Sequence, residues 1–195
     1  DVYLGAALKA GAVPSRTLLL EAFAAAHEAI HARAAQDGRS PAEYSTTLAA
    51  VLIKNNTVIA AAVGDSSIAV GANHEDEHGV KTFSLTSLCS APQPGYATYT
   101  IADPNWPHYV ASTDVRAPHI TTVIVATDGA NNFFLDGSSF RPDWPEALEG
   151  RVRELGPLTF VNVFAHFNQH QPPENHDDRT LLVAYRPPQD LAPPA

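Results

Sequence analysis

The longest amphipathic pattern in the sequence runs from Pro14 to Gln36. Ser15 is a suitable N-cap, since its hydroxyl can accept a bond from an early helical N–H, and Gly38 is a suitable end because glycine adopts the left-handed conformation. The apolar positions recur at the three- and four-residue spacing of one helix face: Leu18, Leu19, Phe23, Ala26 and Ile30. The pattern therefore predicts a helix of about six turns.

After this helix the pattern changes to short apolar segments, several rich in β-branched residues, which are typical of strands. Four such segments follow one another: Thr46–Lys54, Thr57–Val63, Ile68–Gly71 and Val80–Leu85. Asn55 and Asn56 favour a two-residue hairpin turn between the first two. The charged residues from His74 to Gly79 form a further turn. We expect an antiparallel meander with one buried face.

The second half of the chain alternates irregular and periodic segments. Proline is so frequent from Ser90 to Ala117 that we expect a long surface loop there. A strand over Thr121–Thr127 ends at Asp128-Gly129, and a final strand covers Thr180–Tyr185. Between them the spacing predicts two helices, Trp144–Leu155 and Leu158–Asn168. The expected class is α+β, an antiparallel β-sandwich flanked by helices, in one domain over residues 1–186 with a proline-rich tail over 187–195.

Composition and charge narrow the classes of function. The 195 residues are 45% hydrophobic and 17% charged, which is typical of a globular domain. With 12 Lys and Arg against 21 Asp and Glu, the net charge of −9 argues against binding to nucleic acid or anionic membranes. Cys89 is the single cysteine, and no apolar run is long enough to span a membrane. We expect a cytoplasmic protein. Because the sequence starts at Asp1 and contains no methionine, we also expect it to be incomplete at its N-terminus.

Three aspartates share one context, because each lies at the edge of an apolar strand: Asp65, Asp128 and Asp177. Strand ends can hold carboxylate oxygens rigidly, and converging carboxylates repel one another unless a divalent cation neutralises them. The set suggests Mg²⁺ or Mn²⁺. The alternative is that each aspartate caps a turn, which is ordinary for Asp before Gly or Ser.

Four short motifs in order resemble those of the metal-dependent protein phosphatases of the 2C type: Ser45-Thr46-Thr47-Leu48, Val63-Gly64-Asp65-Ser66, Ala126-Thr127-Asp128-Gly129 and Asp177-Asp178-Arg179-Thr180 with the apolar run after it. The similarity covers about Leu18 to Tyr185 and includes the helix before the first motif. It implies a four-layer αββα fold in which two sheets form the sandwich. It also implies hydrolysis of phosphoserine and phosphothreonine on a phosphoprotein substrate by a metal-bridged hydroxide, with two or three Mg²⁺ or Mn²⁺ ions.

The resemblance assigns residues one by one. Asp128 would bind the metal pair, Asp177 would be the ligand before the last strand, and Asp65 would lie near a third, weaker metal site. No side chain is assigned as a nucleophile. The family also has an early Asp-Gly motif followed by glycines and a His, and this motif is not present before the Leu18–Ala35 helix. The alternative is therefore an inactive phosphatase-like module with a binding or regulatory role.

Other patterns compete with this interpretation. His27-Glu28-Ala29-Ile30-His31 has the spacing of a zinc metallopeptidase motif, in which Glu28 would be the general base. Gly64-Asp65-Ser66 could be the nucleophile block of an esterase, with Ser66 attacking. The pairs His74/His78 and His166/His170 are expected to be solvated, and Cys89 is expected to be a buried or inert thiol in a loop. For His27 and His31 the simpler interpretation is a partly exposed pair on a packing helix.

Overall fold

The structure is a computed structural model of the chain. It describes residues 2–54, 56–89, 98–116, 119–130, 135–136, 139–140, 165, 169 and 180–186. Within these ranges, none of the helices has the length and apolar composition needed to cross a membrane.

The described helices lie mainly in the N-terminal part. They are α1 (Val2–Lys9), α2 (Arg16–Asp37), a short 3-10 helix (Pro41–Tyr44) and α3 (Trp106–Tyr109). The prediction of α2 is confirmed together with both of its caps. The Ser15 side chain accepts a hydrogen bond from the Leu18 N–H, and Gly38 ends the helix at φ 65°. Helix α1 was not predicted.

Nine strands are described, and the fifth and the two shortest were not predicted. They are β1 (Leu48–Lys54), β2 (Thr57–Val63), β3 (Ser67–Glu75), β4 (Lys81–Cys89), β5 (Ala111–Arg116), β6 (Ile120–Ala126), β7 (Leu135–Asp136), β8 (Ser139–Phe140) and β9 (Leu181–Tyr185). Three sheets result, with the orders β1-β2-β5, β4-β3-β6-β9 and β7-β8. The chain divides into two compact units, residues 1–68 with 87–118 and residues 69–86 with 119–195.

The first unit is built around the hairpin of β1 and β2. These strands are antiparallel with Lys54 opposite Thr57, so a two-residue turn joins them as predicted. Strand β5 pairs antiparallel with the other edge of β2. Helix α2 packs on all three strands. Nine buried side chains form the core: Leu18, Leu19, Phe23, Leu52, Ile59, Ala61, Val63, Ile101 and Trp106.

The expectation of a surface loop from Ser90 to Ala117 is wrong for the described residues 98–116. Ile101 and Ala102 are buried, Trp106 packs against Phe23 with ring centroids 6.2 Å apart, and β5 completes the sheet. The prolines therefore do not keep this segment at the surface. Pro107 stands in the first turn of α3, where its missing N–H would be unpaired in any case.

The second unit contains the remaining predicted strands. Strands β6 and β9 are antiparallel, with Ala126 opposite Leu181, which confirms both predictions. Strand β3 continues to Glu75, further than the sequence pattern indicated. The two predicted helices lie outside the described residues apart from Ala165, which is helical, as is Gln169 beyond them. The proposed boundary between residues 186 and 187 stays a prediction.

We expect Leu19→Ala to lower the free energy of unfolding by about 2–5 kcal/mol, because the fully buried Leu19 side chain leaves a cavity. Leu8→Ala on α1 is the matched control, since Leu8 is 38% exposed and should change stability by less than about 0.5 kcal/mol. Urea unfolding followed by circular dichroism measures both. Equal losses for the two variants would contradict the packing of α2.

Candidate functional site

Asp128 stands two residues after the end of β6, in the second unit, and is half-buried. The residue before it, Thr127, is bonded twice to Thr180: the Thr127 N–H donates to the Thr180 carbonyl at 3.0 Å, and the Thr127 Oγ1 accepts from the Thr180 N–H at 2.9 Å. Asp128 is therefore the first residue after the hydrogen bonds that join the β6 and β9 segments. Its Oδ1 accepts a hydrogen bond from the Gly129 N–H at 2.8 Å.

The backbone turns sharply at this point. Residues 128–130 are helical, and the Ala130 N–H donates to the Thr127 carbonyl at 3.0 Å. The carboxylate is thus carried at a junction between a strand and a helical turn. Such a junction fixes the Asp128 backbone on both sides, which is what a rigid oxygen ligand requires.

Asp177 lies outside the described residues. It precedes Thr180 by three positions in the sequence. The two hydrogen bonds between Thr127 and Thr180 place Asp128 near the start of β9. The role of Asp177 stays a prediction.

Asp65 lies in the first unit, after β2. The Asp65 Oδ2 accepts a hydrogen bond from the Thr98 Oγ1 at 2.9 Å. The preceding Gly64 has φ 103°, in the region that favours glycine. A Cβ on Gly64 would lie 2.3 Å from the Thr47 Cγ2 and 3.1 Å from the Tyr99 carbonyl oxygen. The glycine therefore lets three chain segments meet beside Asp65.

Asp65 belongs to the first compact unit and Asp128 to the second. Within the part of the chain that the structure describes, no group of three or more His, Cys, Asp or Glu side chains is arranged to hold a metal ion. The donors do fit a hard cation in their chemistry, because carboxylate oxygens are the ligands that Mg²⁺ and Mn²⁺ prefer. Asp128 would be the ligand held most rigidly.

His27 and His31 face the segment after Thr100. Nδ1 of His27 lies 2.8 Å from the Ile101 carbonyl oxygen, and Nε2 of His31 lies 3.1 Å from the Ala102 carbonyl oxygen. Both rings are half-buried, whereas Glu28 is exposed. The pair thus joins α2 to residues 101 and 102, which supports the simpler interpretation over a peptidase site.

The solvent exposure of Ser66 and of the pair His74/His78 tests two further interpretations of the sequence, the esterase nucleophile and the solvated histidine pair. Ser66 is buried, with 6% of its surface exposed, which does not suit an esterase nucleophile. His74 and His78 are exposed, as expected. His166 and His170 lie outside the described residues.

Cys89 is the last residue of β4 and is buried, not part of a loop as expected. Burial raises the pKa of its thiol from about 9.0 to about 11, against the smaller opposing effects of a backbone hydrogen bond with Thr113 and the charge of Arg16. The thiol is protonated at neutral pH, so the prediction of a buried, inert cysteine agrees with its surroundings.

Sequence patterns did not reveal Thr127 and Thr98, the two threonines that hold the aspartate-bearing segments. No local sequence pattern predicts the hydrogen bond of Thr127 with Thr180 or that of Thr98 with Asp65, because the two residues of each pair are far apart in the sequence. The available signals were the position of Thr127 at the end of a β-branched run and its place in the Ala126-Thr127-Asp128-Gly129 motif. Tyr99 and Tyr109, which stack with ring centroids 3.6 Å apart, were also missed.

The fold and the strand-end aspartates define a class of protein before any comparison: an α+β domain with antiparallel sheets and carboxylates at strand ends. A family model of protein phosphatase 2C matches residues 2–154. The chain belongs to the protein phosphatase 2C family. Asp65 and Asp128 lie within the matched residues, and Asp177 lies beyond them.

A solved structure agrees with this family. The chain is similar to the crystal structure of serine-threonine phosphatase 2C from Toxoplasma gondii, with a TM-score of 0.52 and 16% sequence identity. The match covers 86% of this chain and 66% of that one, just under two thirds of its length. It shows that the two share a fold, which confirms the predicted phosphatase 2C-like class. No curated protein sequence matches the chain.

We expect Gly64→Ala to cost about 2–5 kcal/mol of folding free energy, because the new Cβ meets Thr47 and because alanine is strained at this φ. Gly5→Ala is the matched control. Gly5 lies within α1 with nothing near its Cβ position, so alanine should stabilise the protein by roughly 0.5–1 kcal/mol. Thermal unfolding compares the variants, and equal effects would contradict the close approach at Gly64.

We expect the raised pKa of Cys89 to make stability fall at alkaline pH. The thiol ionises near pH 9.0 in the unfolded chain but only near 11 in the folded one, so its contribution is complete below about 9.0 and is lost as pH rises towards about 11. Urea unfolding between pH 8 and 10.5 should show a steeper loss for the wild type than for Cys89→Ala. Identical slopes would show that the native thiol has an ordinary pKa.

Proposed function

We propose that this chain is the larger part of a Mg²⁺- or Mn²⁺-dependent serine/threonine protein phosphatase. Membership of the protein phosphatase 2C family supports a phosphoric monoester hydrolase acting on phosphoproteins. The domain would span residues 1–186, and a cytoplasmic location fits the single cysteine, which rules out an internal disulfide. The observation that carries the proposal is the position of Asp128, which directly follows the two hydrogen bonds between Thr127 and Thr180.

Asp128 and Asp177 would hold the metal pair, and Asp65 would lie at a further, weaker site. Three residues of chain span at most about 11 Å, so Asp177 stays within reach of the junction at Thr180. An ionised carboxylate has about four lone-pair positions, so the bond from Gly129 orients Asp128 without saturating it. The bound ions would supply an activated water and neutralise charge on the phosphoryl group.

The chain's own contribution is rigidity. Two hydrogen bonds on Thr127 and the turn at residues 128–130 hold Asp128 in place before any ion binds. In the first unit, the hydroxyl of Thr98 donates to Asp65, and Gly64 allows the backbone to approach Tyr99. Preformed ligands lose little freedom on binding, which raises affinity for the ions.

An inactive phosphatase-like module is the second candidate. Membership of the protein phosphatase 2C family is equally consistent with this function. Such a module would bind phosphoproteins without hydrolysing them.

We expect the full-length protein to hydrolyse p-nitrophenyl phosphate only with Mn²⁺ or Mg²⁺, and Asp128→Asn to lower kcat by at least about 100-fold, since the neutral amide is a poorer ligand for a hard cation. Asp177→Asn should have a similar effect. Absorbance of the released phenolate follows the reaction, and EDTA should abolish it.

Asp114→Asn is the matched control, because Asp114 is an exposed aspartate on β5 in a different sheet from β6. Its turnover should equal that of the wild type. Turnover that persists in EDTA or in Asp128→Asn would refute metal-dependent hydrolysis. Metal-dependent binding of a phosphopeptide without any turnover would favour the inactive module.

A further inference from the structure

The His27–His31 pair is a motif that the phosphatase function does not use. The two residues lie one turn apart on α2, and their ring centroids are 4.2 Å apart with the planes tilted by 47°. Their partners are consecutive carbonyls, those of Ile101 and Ala102. The arrangement is more than two neighbouring surface histidines, because the main chain holds both rings in defined orientations.

The carbonyl partners determine the tautomer of each neutral ring. A carbonyl oxygen only accepts, so the proton lies on Nδ1 of His27 and on Nε2 of His31. The remaining nitrogens, Nε2 of His27 and Nδ1 of His31, therefore carry lone pairs. Metal-binding histidines characteristically donate their other N–H to a carbonyl or carboxylate in this way, which orients the ring and increases its basicity.

The separation of the rings is compatible with one shared ion. An ion bonded to an imidazole nitrogen at about 2.0–2.1 Å lies about 3 Å from the ring centre. Two such rings can reach a common ion only when their centres are less than about 6 Å apart, and here they are 4.2 Å apart. Imidazole nitrogen favours Zn²⁺, Ni²⁺ and Cu²⁺ over Mg²⁺ and Mn²⁺, which prefer oxygen ligands.

We propose that His27 and His31 form a binding site for a divalent cation of the zinc, nickel and copper type, separate from the aspartates assigned to catalysis. The two ring nitrogens supply two ligands in adjacent positions, and water completes the coordination. Because both rings are already bonded to residues 101 and 102, a bound ion would join α2 more firmly to this segment. The site differs from a peptidase centre, because Glu28 is exposed and the described part of the chain holds no group of three or more His, Cys, Asp or Glu side chains arranged around one ion.

Two substitutions separate metal binding from the structural role of the pair. The side-chain amide of Asn can replace the Nδ1–H of His27, and that of Gln can replace the Nε2–H of His31, so His27→Asn and His31→Gln keep a donor for each carbonyl while removing the lone-pair nitrogen. The full chain, free of any affinity tag, is titrated with ZnCl₂ in a calorimeter at pH 7.5. We expect one site of micromolar affinity in the wild type and at least tenfold weaker binding in either variant.

A second measurement uses Trp106, whose ring centroid is 6.4 Å from that of His27. Cu²⁺ bound at the pair should quench its fluorescence, and Zn²⁺ should raise the thermal midpoint of the wild type but not that of the variants. The double variant His74→Ala/His78→Ala is the matched control, because this exposed pair has the same spacing. It should bind Zn²⁺ as the wild type does, and so should Asp128→Asn.

Two results with the histidine variants would overturn the proposal. One is unchanged Zn²⁺ affinity in His27→Asn or His31→Gln with folding intact by circular dichroism, and the other is loss of binding in the His74/His78 control. If Asp128→Asn loses phosphatase activity but still binds Zn²⁺, the histidine site and the aspartate site are separate. Loss of Zn²⁺ binding in Asp128→Asn would show that the ion binds at the aspartates instead.

Discussion

The burial of one face of α2 against β1, β2 and β5 is the interaction on which the first unit depends. Leu19 and Phe23 are almost completely enclosed, and the same core contains Ile59 and Val63 from the central strand. A helix of this composition gains most of its stability from such packing, because isolated helices are marginal in water. The strand that carries Asp65 at its end is held in place by the same contacts.

The segment from Thr98 to Val110 closes this core from another side. It contributes Ile101 and Trp106 to the interior, and its carbonyls at residues 101 and 102 accept hydrogen bonds from His27 and His31. The segment also brings the Thr98 hydroxyl to Asp65. Core packing and the placement of an aspartate assigned to the catalytic site are therefore properties of one piece of chain.

The second unit uses a different means to place its aspartate. Hydrogen bonds between β6 and β9 continue to Thr127 and Thr180, and the chain then turns into a helical conformation at Asp128. The rigidity comes from backbone pairing together with the Thr127 hydroxyl, which accepts a hydrogen bond from the Thr180 N–H. In both units the functional candidate stands two residues beyond the last paired residue of a strand, Val63 in β2 and Ala126 in β6, where a side chain can leave the sheet without losing backbone hydrogen bonds.

Local features were determined by the sequence alone. The caps Ser15 and Gly38, the hairpin register with Lys54 opposite Thr57 and the end of β6 shortly before Asp128 depend on neighbours within a few residues, and the ordered motifs identified the family. Only the tertiary structure decided that residues 98–116 supply buried side chains and a paired strand, because a high proline content does not determine whether a segment is covered. It also decided the roles of Thr98, Thr127 and the histidine pair. Their partners are 33 to 74 positions away, and contacts of that kind exist only once the chain has folded.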